Sequence, residues 1–152
     1  MKKQSITITI LFLLLAGLAF AVAPIMVAQE KDTVHSPEKG SAERKAILDV
    51  LRDDYKKGTG QTVTYQVHYI KVHNGWAWVD TTPLDDKNKP VAEGGPDLLH
   101  FENGKWTIID LSKVPEDPND PLGIEDASPG FIKNLRKLYP QVPLDIFPKH
   151  GK

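Results

Sequence analysis

Residues 62–80, TVTYQVHYIKVHNGWAWVD, constrain the fold more than any other stretch, because they contain two strand-like runs joined at Asn74-Gly75. Apolar and polar side chains alternate along the first run, which is the period of a half-buried strand. Asn-Gly supplies the positive φ angles that a two-residue type I′ turn requires. The sequence therefore predicts an antiparallel hairpin whose register is set by the turn. The predicted pairs are Tyr69 with Asp80, Lys71 with Trp78, and His73 with Trp76.

Each face of this hairpin carries large apolar side chains, so we expect other elements to cover the sheet on both sides. One face is predicted to hold Tyr65, Val67, Tyr69, Trp76 and Trp78. The other is predicted to hold Ile70, Val72, Ala77 and Val79, followed along the strand by His68 and Gln66. A two-stranded ribbon is marginally stable in water, so the hairpin needs further partners.

A second hairpin is predicted where DLLHF (97–101) and KWTIIDL (105–111) flank another Asn-Gly turn. The predicted pairs are Glu102 with Lys105, Phe101 with Trp106, and Leu99 with Ile108. The loop between the two hairpins, residues 84–96, is long for a compact domain. A loop of this length is either a functional rim or a mobile connection.

Two helices complete the predicted elements. Residues 42–57 follow the N-cap Ser41 and stop at Gly58. Their apolar stripe, which we expect to lie on the sheet, consists of Ala46, Ile47, Val50, Leu51 and Tyr55. A short helix begins at Pro129 after the cap Ser128. The proline-rich tail is expected to pack as a strap through Val142, Leu144, Ile146 and Phe147.

The predicted fold class is therefore α+β. A curved antiparallel sheet of two hairpins wraps an N-terminal helix, and a short C-terminal helix and an extended strap follow. A single domain is expected over residues 41–148. Its size suits one hydrophobic core.

Residues 1–28 have the layout of a secretory signal peptide: a basic start, an almost unbroken apolar run and then small residues. The run is also about long enough to span a bilayer, so an uncleaved N-terminal anchor is the alternative. Residues 29–40 are polar and predict a flexible leader. We therefore expect an exported protein, either periplasmic or secreted, or else tethered to the inner membrane. The sequence contains no Cys, which excludes a disulfide framework.

Charge limits the expected partners. Outside residues 1–28 the chain has 17 basic and 20 acidic residues, because that segment contains two of the 19 basic residues and no acid. A weakly acidic domain lacks the electrostatic footprint of a nucleic-acid-binding protein. Its scattered basic residues do not form a patch for a membrane surface. We expect membrane contact only through the N-terminal segment if it is uncleaved.

Three stretches carry a resemblance to known proteins: ERKAILDVLR, GWAWVDTTPLD and GKWTIIDL. They resemble stretches of small exported bacterial proteins of unassigned role. The order helix, hairpin, long loop, hairpin is similar to the cone-shaped α+β fold of nuclear-transport-factor-two-like (cystatin-like) proteins. The likeness covers residues 41–111 and implies the fold. Enzymes of this fold place an acid, a histidine or a tyrosine inside the cone, but no spacing here transfers such a role to a particular residue.

An acid–base pocket is the sharpest catalytic hypothesis, and its candidates are Asp80, Tyr69 and His68. Asp80 lies opposite Tyr69 where the cone would open to solvent, so it could act as a general base. The alternative is that Asp80 and Asp110 are strand-end residues that accept backbone hydrogen bonds or cap loops.

Trp76 and Trp78 are the candidate ligand-binding residues, since two nearby indole rings could stack on a sugar or a peptide; the alternative is that both belong to the core. No metal site is predicted. His68 and His73 fall on opposite faces of one strand, and residues 117–126 lack the ligand spacing of a calcium-binding loop. No cofactor is expected, because the sequence has no glycine loop of the kind that binds phosphate. The sequence also has no nucleophile elbow, the turn that presents a catalytic serine.

These patterns favour an exported, non-catalytic binding or interaction module. It would contact an unknown protein or a small apolar ligand through the mouth of the cone, the 84–96 loop or the C-terminal strap. Homodimerisation through a sheet face is compatible with the apolar residues on both faces. The alternative is a cofactor-free hydrolase or isomerase that uses an acid or base inside the cone.

Overall fold

The computed structural model describes residues 33–120, 123–124 and 126–149. Helix α1 (Ala42–Thr59) precedes four strands, β1 (Thr64–His73), β2 (Trp76–Leu84), β3 (Gly95–Glu102) and β4 (Lys105–Ile108). A 3-10 turn (Leu111–Lys113), helix α2 (Pro129–Leu138) and a second 3-10 turn (Leu144–Ile146) follow. The strands form one antiparallel sheet in the order β1-β2-β3-β4. The predicted α+β class is confirmed at this level.

Both predicted Asn-Gly turns are present. Asn74 and Gly75 have φ angles of 48° and 73°, and Asn103 and Gly104 have 54° and 79°. These left-handed values are the ones that a type I′ turn requires. The register next to each turn is as predicted, including Tyr69 with Asp80 and Phe101 with Trp106.

The register of β1 shifts between Val67 and Tyr69, next to His68, and this shift overturns part of the predicted face assignment. Asp80 pairs with Tyr69, but its neighbour Thr81 pairs with Val67. One extra residue in a strand exchanges the faces of all residues beyond it. The prediction was therefore wrong for four residues. Tyr65 and Val67 pack on the Ile70 face, and Gln66 and His68 lie on the other.

Helix α1 packs on one face of the sheet. Ser41 Oγ caps it by accepting a hydrogen bond from the Arg44 amide at 3.2 Å. The helix passes the predicted stop at Gly58 and ends at Gly60, whose φ of 77° suits a left-handed cap. Its own buried side chains are Ile47, Leu48 and Leu51. They pack against residues of the sheet: Ile70, Val72, Ala77, Val79, Leu99 and Trp106. Ala46 of the predicted stripe is exposed instead.

The C-terminal residues cover the opposite face. Helix α2 starts at Pro129 as predicted, and Ser128 Oγ accepts a hydrogen bond from the Phe131 amide at 3.1 Å. The buried residues of this layer and of the sheet beneath it are Trp76, Trp78, Leu98, Val114, Ala127, Phe131, Leu135, Val142, Ile146 and Phe147. Leu144 was predicted to pack inward but is 57% exposed. It opens a 3-10 turn, in which three residues complete a turn and cannot all face one surface.

Residues near the start of the described chain are attached to the edge of the sheet. His35 and Val72 exchange two backbone hydrogen bonds of 2.9 and 2.8 Å, and His35 Nε2 lies 2.8 Å from Glu43 Oε2. The predicted signal peptide or anchor, residues 1–28, lies outside the described residues. Among the residues described, no helix combines the length and hydrophobicity needed to span a bilayer.

Candidate functional site

A cavity of about 270 Å³ opens beside the C-terminal half of α1, where β2 ends and β3 begins. We call it the Asp97 cavity. Its lining residues are Tyr55, Tyr65, Thr81, Pro83, Glu93, Gly94, Gly95, Pro96 and Asp97. The set combines two aromatic rings with two carboxyl groups, and it contains no basic side chain.

Strand alternation positions Asp97. It pairs with Val79 and lies on the same face as Leu99, which is fully buried under α1. Asp97 lies two residues before Leu99 in β3, at the end of the helix–sheet interface, and it is half-buried there. Sequence reasoning assigned Asp97 to a strand and missed it as a site residue. Its position two residues before a buried leucine was the available signal, because both side chains must then share a face.

The two charged side chains that shift the pKa of the Asp97 carboxyl group are themselves carboxylates. No described residue donates a hydrogen bond to it, and Asp54 and Asp80 are the charged neighbours that act on it. Burial is the main cause that raises the pKa of Asp97 from 3.8 to about 6, and the charges of Asp54 and Asp80 add to it. The group therefore exchanges its proton close to neutral pH.

Tyr65 borders the cavity with its hydroxyl group already engaged. The hydroxyl donates a hydrogen bond to the carbonyl oxygen of Leu51 at 3.1 Å, which holds β1 against α1. Burial, followed by the charge of Asp97, raises the pKa of Tyr65 to about 12. Tyr65 therefore stays protonated at physiological pH and offers the cavity a neutral aromatic ring.

The rim of the cavity is formed by the end of the predicted 84–96 loop, whose last two residues, Gly95 and Pro96, begin β3. Asp85 Oδ1 accepts hydrogen bonds from the amides of Lys87 and Lys89 at 2.9 and 2.8 Å. The Val91 amide then donates to the Pro83 carbonyl at 3.1 Å. These bonds fold the loop back on β2, so that residues 93–96 close one side of the cavity.

Gly94 fits its place in this rim because it lacks a side chain. A Cβ at Gly94 would overlap the carbonyl oxygen of Thr81 and lie 2.5 Å from Thr82 Oγ1. We expect Gly94→Ala to lower the free energy of unfolding by about 1–3 kcal/mol, because backbone must move to relieve the overlap. Gly95→Ala is the matched control, since a Cβ there meets nothing within 4 Å. Urea unfolding of both variants tests this, and equal stability of the two would contradict it.

The three predicted acid–base residues lie elsewhere. Asp80 and Tyr69 pair on the face that carries Trp78, opposite to the face of the cavity. Burial, with a smaller contribution from Asp145, raises the pKa of Tyr69. His68 is exposed, and its Nε2 lies 2.8 Å from Thr82 Oγ1. None of the three lines the Asp97 cavity, although the charge of Asp80 acts on Asp97.

Asp110 is exposed and caps the first 3-10 turn. Its Oδ1 accepts hydrogen bonds from the Ser112 hydroxyl at 2.6 Å and from the Ser112 amide at 3.2 Å. These bonds hold the pKa of Asp110 below its ordinary value. Its geometry is that of a loop cap.

Trp76 and Trp78 lie in the core under the C-terminal layer, with only 2% and 1% of each residue exposed. The Trp76 ring stacks on His100 at a centroid distance of 4.1 Å. The Trp78 ring meets Phe147 edge-on at 5.0 Å. A ligand would reach either ring only if the C-terminal layer moved.

Two of the described histidines, His35 and His73, each pair with a single carboxylate. His73 Nδ1 lies 2.8 Å from Asp145 Oδ1, which ties the end of β1 to the second 3-10 turn. Within the described ranges, no group of three or more His, Asp or Glu side chains could hold a metal ion.

A larger groove, of about 770 Å³, lies between the first 3-10 turn and the start of α2. The Asp120 carboxylate on its wall accepts hydrogen bonds from the Ser128 hydroxyl at 2.5 Å and from the Gly130 amide at 2.9 Å. The Asp120 carboxylate thus stabilises the start of α2. The Asp97 cavity is the stronger candidate, because its charged group has no such internal role.

Comparison with protein-family models, with curated proteins and with solved structures finds no match to this chain.

Proposed function

We propose that this protein is an exported, non-catalytic binding module and that the Asp97 cavity is its small-ligand site. One observation carries the proposal: a half-buried carboxyl group lines a cavity and accepts no hydrogen bond from a described residue. Burying a charge without a partner is unfavourable. A local violation of this kind is typical of a functional site, where a ligand supplies the missing interaction.

The shape of the site supports a small ligand. Its volume of about 270 Å³ lies just below the range for pockets that bind drug-sized molecules, which suits a smaller ligand. Aromatic rings and prolines form much of the wall, and a few polar groups converge on it. The rim belongs to the 84–96 loop, one of the contact surfaces that the sequence suggests.

Export of this module, directed by residues 1–28, is part of the proposal, as is a cone fold like that of nuclear-transport-factor-two-like proteins. A helix followed by an antiparallel four-stranded meander supports this likeness. In such a cone the sheet would curve around α1, and the Asp97 cavity would lie at one end of the helix–sheet interface.

A cofactor-free hydrolase or isomerase is the second candidate. The observation that favours it is the pKa of Asp97, about 6, which is close to the value that suits a general base at neutral pH. Asp97 would then take the role that the sequence suggested for Asp80, Tyr69 or His68.

An NMR screen of the ¹⁵N-labelled domain against cationic, neutral and anionic fragments tests the binding proposal. We expect the hits to shift the amides of Gly94, Gly95 and Asp97 and to leave those of α2 unchanged. Hits confined to the groove beside α2, or no hits at all, would contradict the assignment of the cavity. Chemical conversion of a bound ester or ketone fragment, lost in Asp97→Asn, would favour the enzyme instead.

A further inference from the structure

We infer that the ligand of the Asp97 cavity is a small organic cation, an alkylammonium or methylated ammonium group. It would pair with the Asp97 carboxylate and pack against the rings of Tyr55 and Tyr65. This inference rests on the proposed function, because it names the ligand class of the same cavity.

The charged side chains that line the cavity or act on Asp97 all have one sign. Asp97 and Glu93 are part of its lining, while Asp54 on α1 and Asp80 on β2 act on Asp97 from outside it. The Arg52 cation acts on Tyr65, but its guanidinium is held by Asp49 at 2.5 Å. An anion entering this cavity would meet only repulsion from its lining, whereas a cation would neutralise Asp97.

The aromatic lining favours an organic cation over a metal ion. Tyr55 and Tyr65 both line the cavity, and the face of a tyrosine ring attracts an ammonium group. A calcium ion prefers six to eight oxygen ligands. The lining offers two carboxyl groups, and the described residues contain no cluster of three metal-ligating side chains. The chemistry of this lining therefore suits an ammonium group that carries alkyl substituents.

The volume suits a small cationic group. A water molecule occupies about 30 Å³ of liquid volume. A cavity of about 270 Å³ therefore has room for a group of roughly nine heavy atoms on that scale. Short alkylamines, tetramethylammonium and choline-sized groups fit this space.

The binding of such a cation depends on pH in a defined direction. Asp97 must be ionised to pair with it, and its pKa of about 6 places that ionisation between pH 5 and 7. The other titratable groups of the cavity and its surroundings are Glu93, Asp54, Asp80 and Tyr55, together with Tyr65, whose raised pKa keeps it neutral. About a tenth of Asp97 is ionised at pH 5, so the affinity is expected to be about tenfold lower there than at pH 7.5.

Calorimetric or NMR titration with n-butylammonium, n-butanol and butyrate at pH 7.5 tests the ligand class. We expect butylammonium to bind at least about tenfold more tightly than the neutral and anionic probes. Asp97→Asn should reduce its affinity at least about tenfold. Asp53→Asn, which removes the same charge from an exposed position of α1 outside the cavity, should change it less than about twofold.

A second series tests the aromatic contact with tetramethylammonium. Tyr55→Leu should weaken its binding severalfold, whereas Tyr55→Phe, which keeps the ring, should leave it nearly unchanged. An equal loss in both variants would remove the ring from the proposed contact.

The outcomes separate this inference from the proposed function. If neutral or anionic probes bind the cavity and ammonium probes do not, the cation inference fails and the binding module stands. Equal effects of Asp97→Asn and Asp53→Asn would overturn the inference, because binding would then follow net charge. If no probe of any charge shifts the amides of Gly94 and Gly95, both fail.

Discussion

Asp97→Asn is expected to raise the free energy of unfolding by up to about 3 kcal/mol at pH 7.5 and by less than about 1 kcal/mol at pH 4. The carboxyl group has a pKa of about 6 in the folded protein and an ordinary value of 3.8. The folded state therefore binds more protons than the unfolded state between these values. Proton binding by Asp97 therefore stabilises the folded state of the wild type fully below pH 3.8, and this stabilisation is lost as the pH rises through 6. Asparagine carries no charge at any of these pH values, so the variant avoids this loss.

Urea unfolding of the wild type and Asp97→Asn from pH 4 to pH 7.5 measures this effect. The difference between the two curves should grow through the pH 4–6 interval and level off above it. Asp53→Asn is the control, because Asp53 is an exposed carboxylate on α1, next to Asp54 in the sequence. Its curve should stay parallel to that of the wild type. A constant difference between Asp97→Asn and the wild type would show that the Asp97 carboxyl group is not desolvated.

Trp78→Ala is expected to lower the free energy of unfolding by about 3–5 kcal/mol, the usual cost of removing a buried aromatic side chain. Trp78 is 1% exposed and contacts the rings of Phe131 and Phe147, so its removal leaves a cavity between the sheet and α2. Small domains have only about 5–15 kcal/mol of stability in total. The variant should therefore be close to unfolding at room temperature.

Denaturant unfolding followed by circular dichroism measures this loss. Val91→Ala serves as the control, because Val91 is 39% exposed and its truncation should change stability by less than about 0.5 kcal/mol. A loss below about 1 kcal/mol for Trp78→Ala would mean that the C-terminal layer does not pack on the sheet in solution. The two tryptophans would then be available for the ligand contact that the sequence suggested.

The two hairpins were predictable because their information is local. Asn74-Gly75 and Asn103-Gly104 select a turn type through the φ angles of two adjacent residues, and that turn type sets the pairs next to it. The caps at Ser41 and Ser128 are local in the same sense, since each accepts a hydrogen bond from an amide three residues further along.

Features that depend on distant parts of the chain were not accessible in this way. The register shift beside His68 places Tyr65 and Val67 on the sheet face that packs against α1. The residues near the shift carry no sequence pattern that predicts it. The character of Asp97 depends on burial beside a helix that comes much earlier in the chain and on the charge of Asp54. Turn and cap chemistry acts over a few neighbouring residues and can be read from their order. Desolvation, face assignment and electrostatic repulsion depend on which surfaces meet, so they emerge only when the helix, sheet and loop pack together.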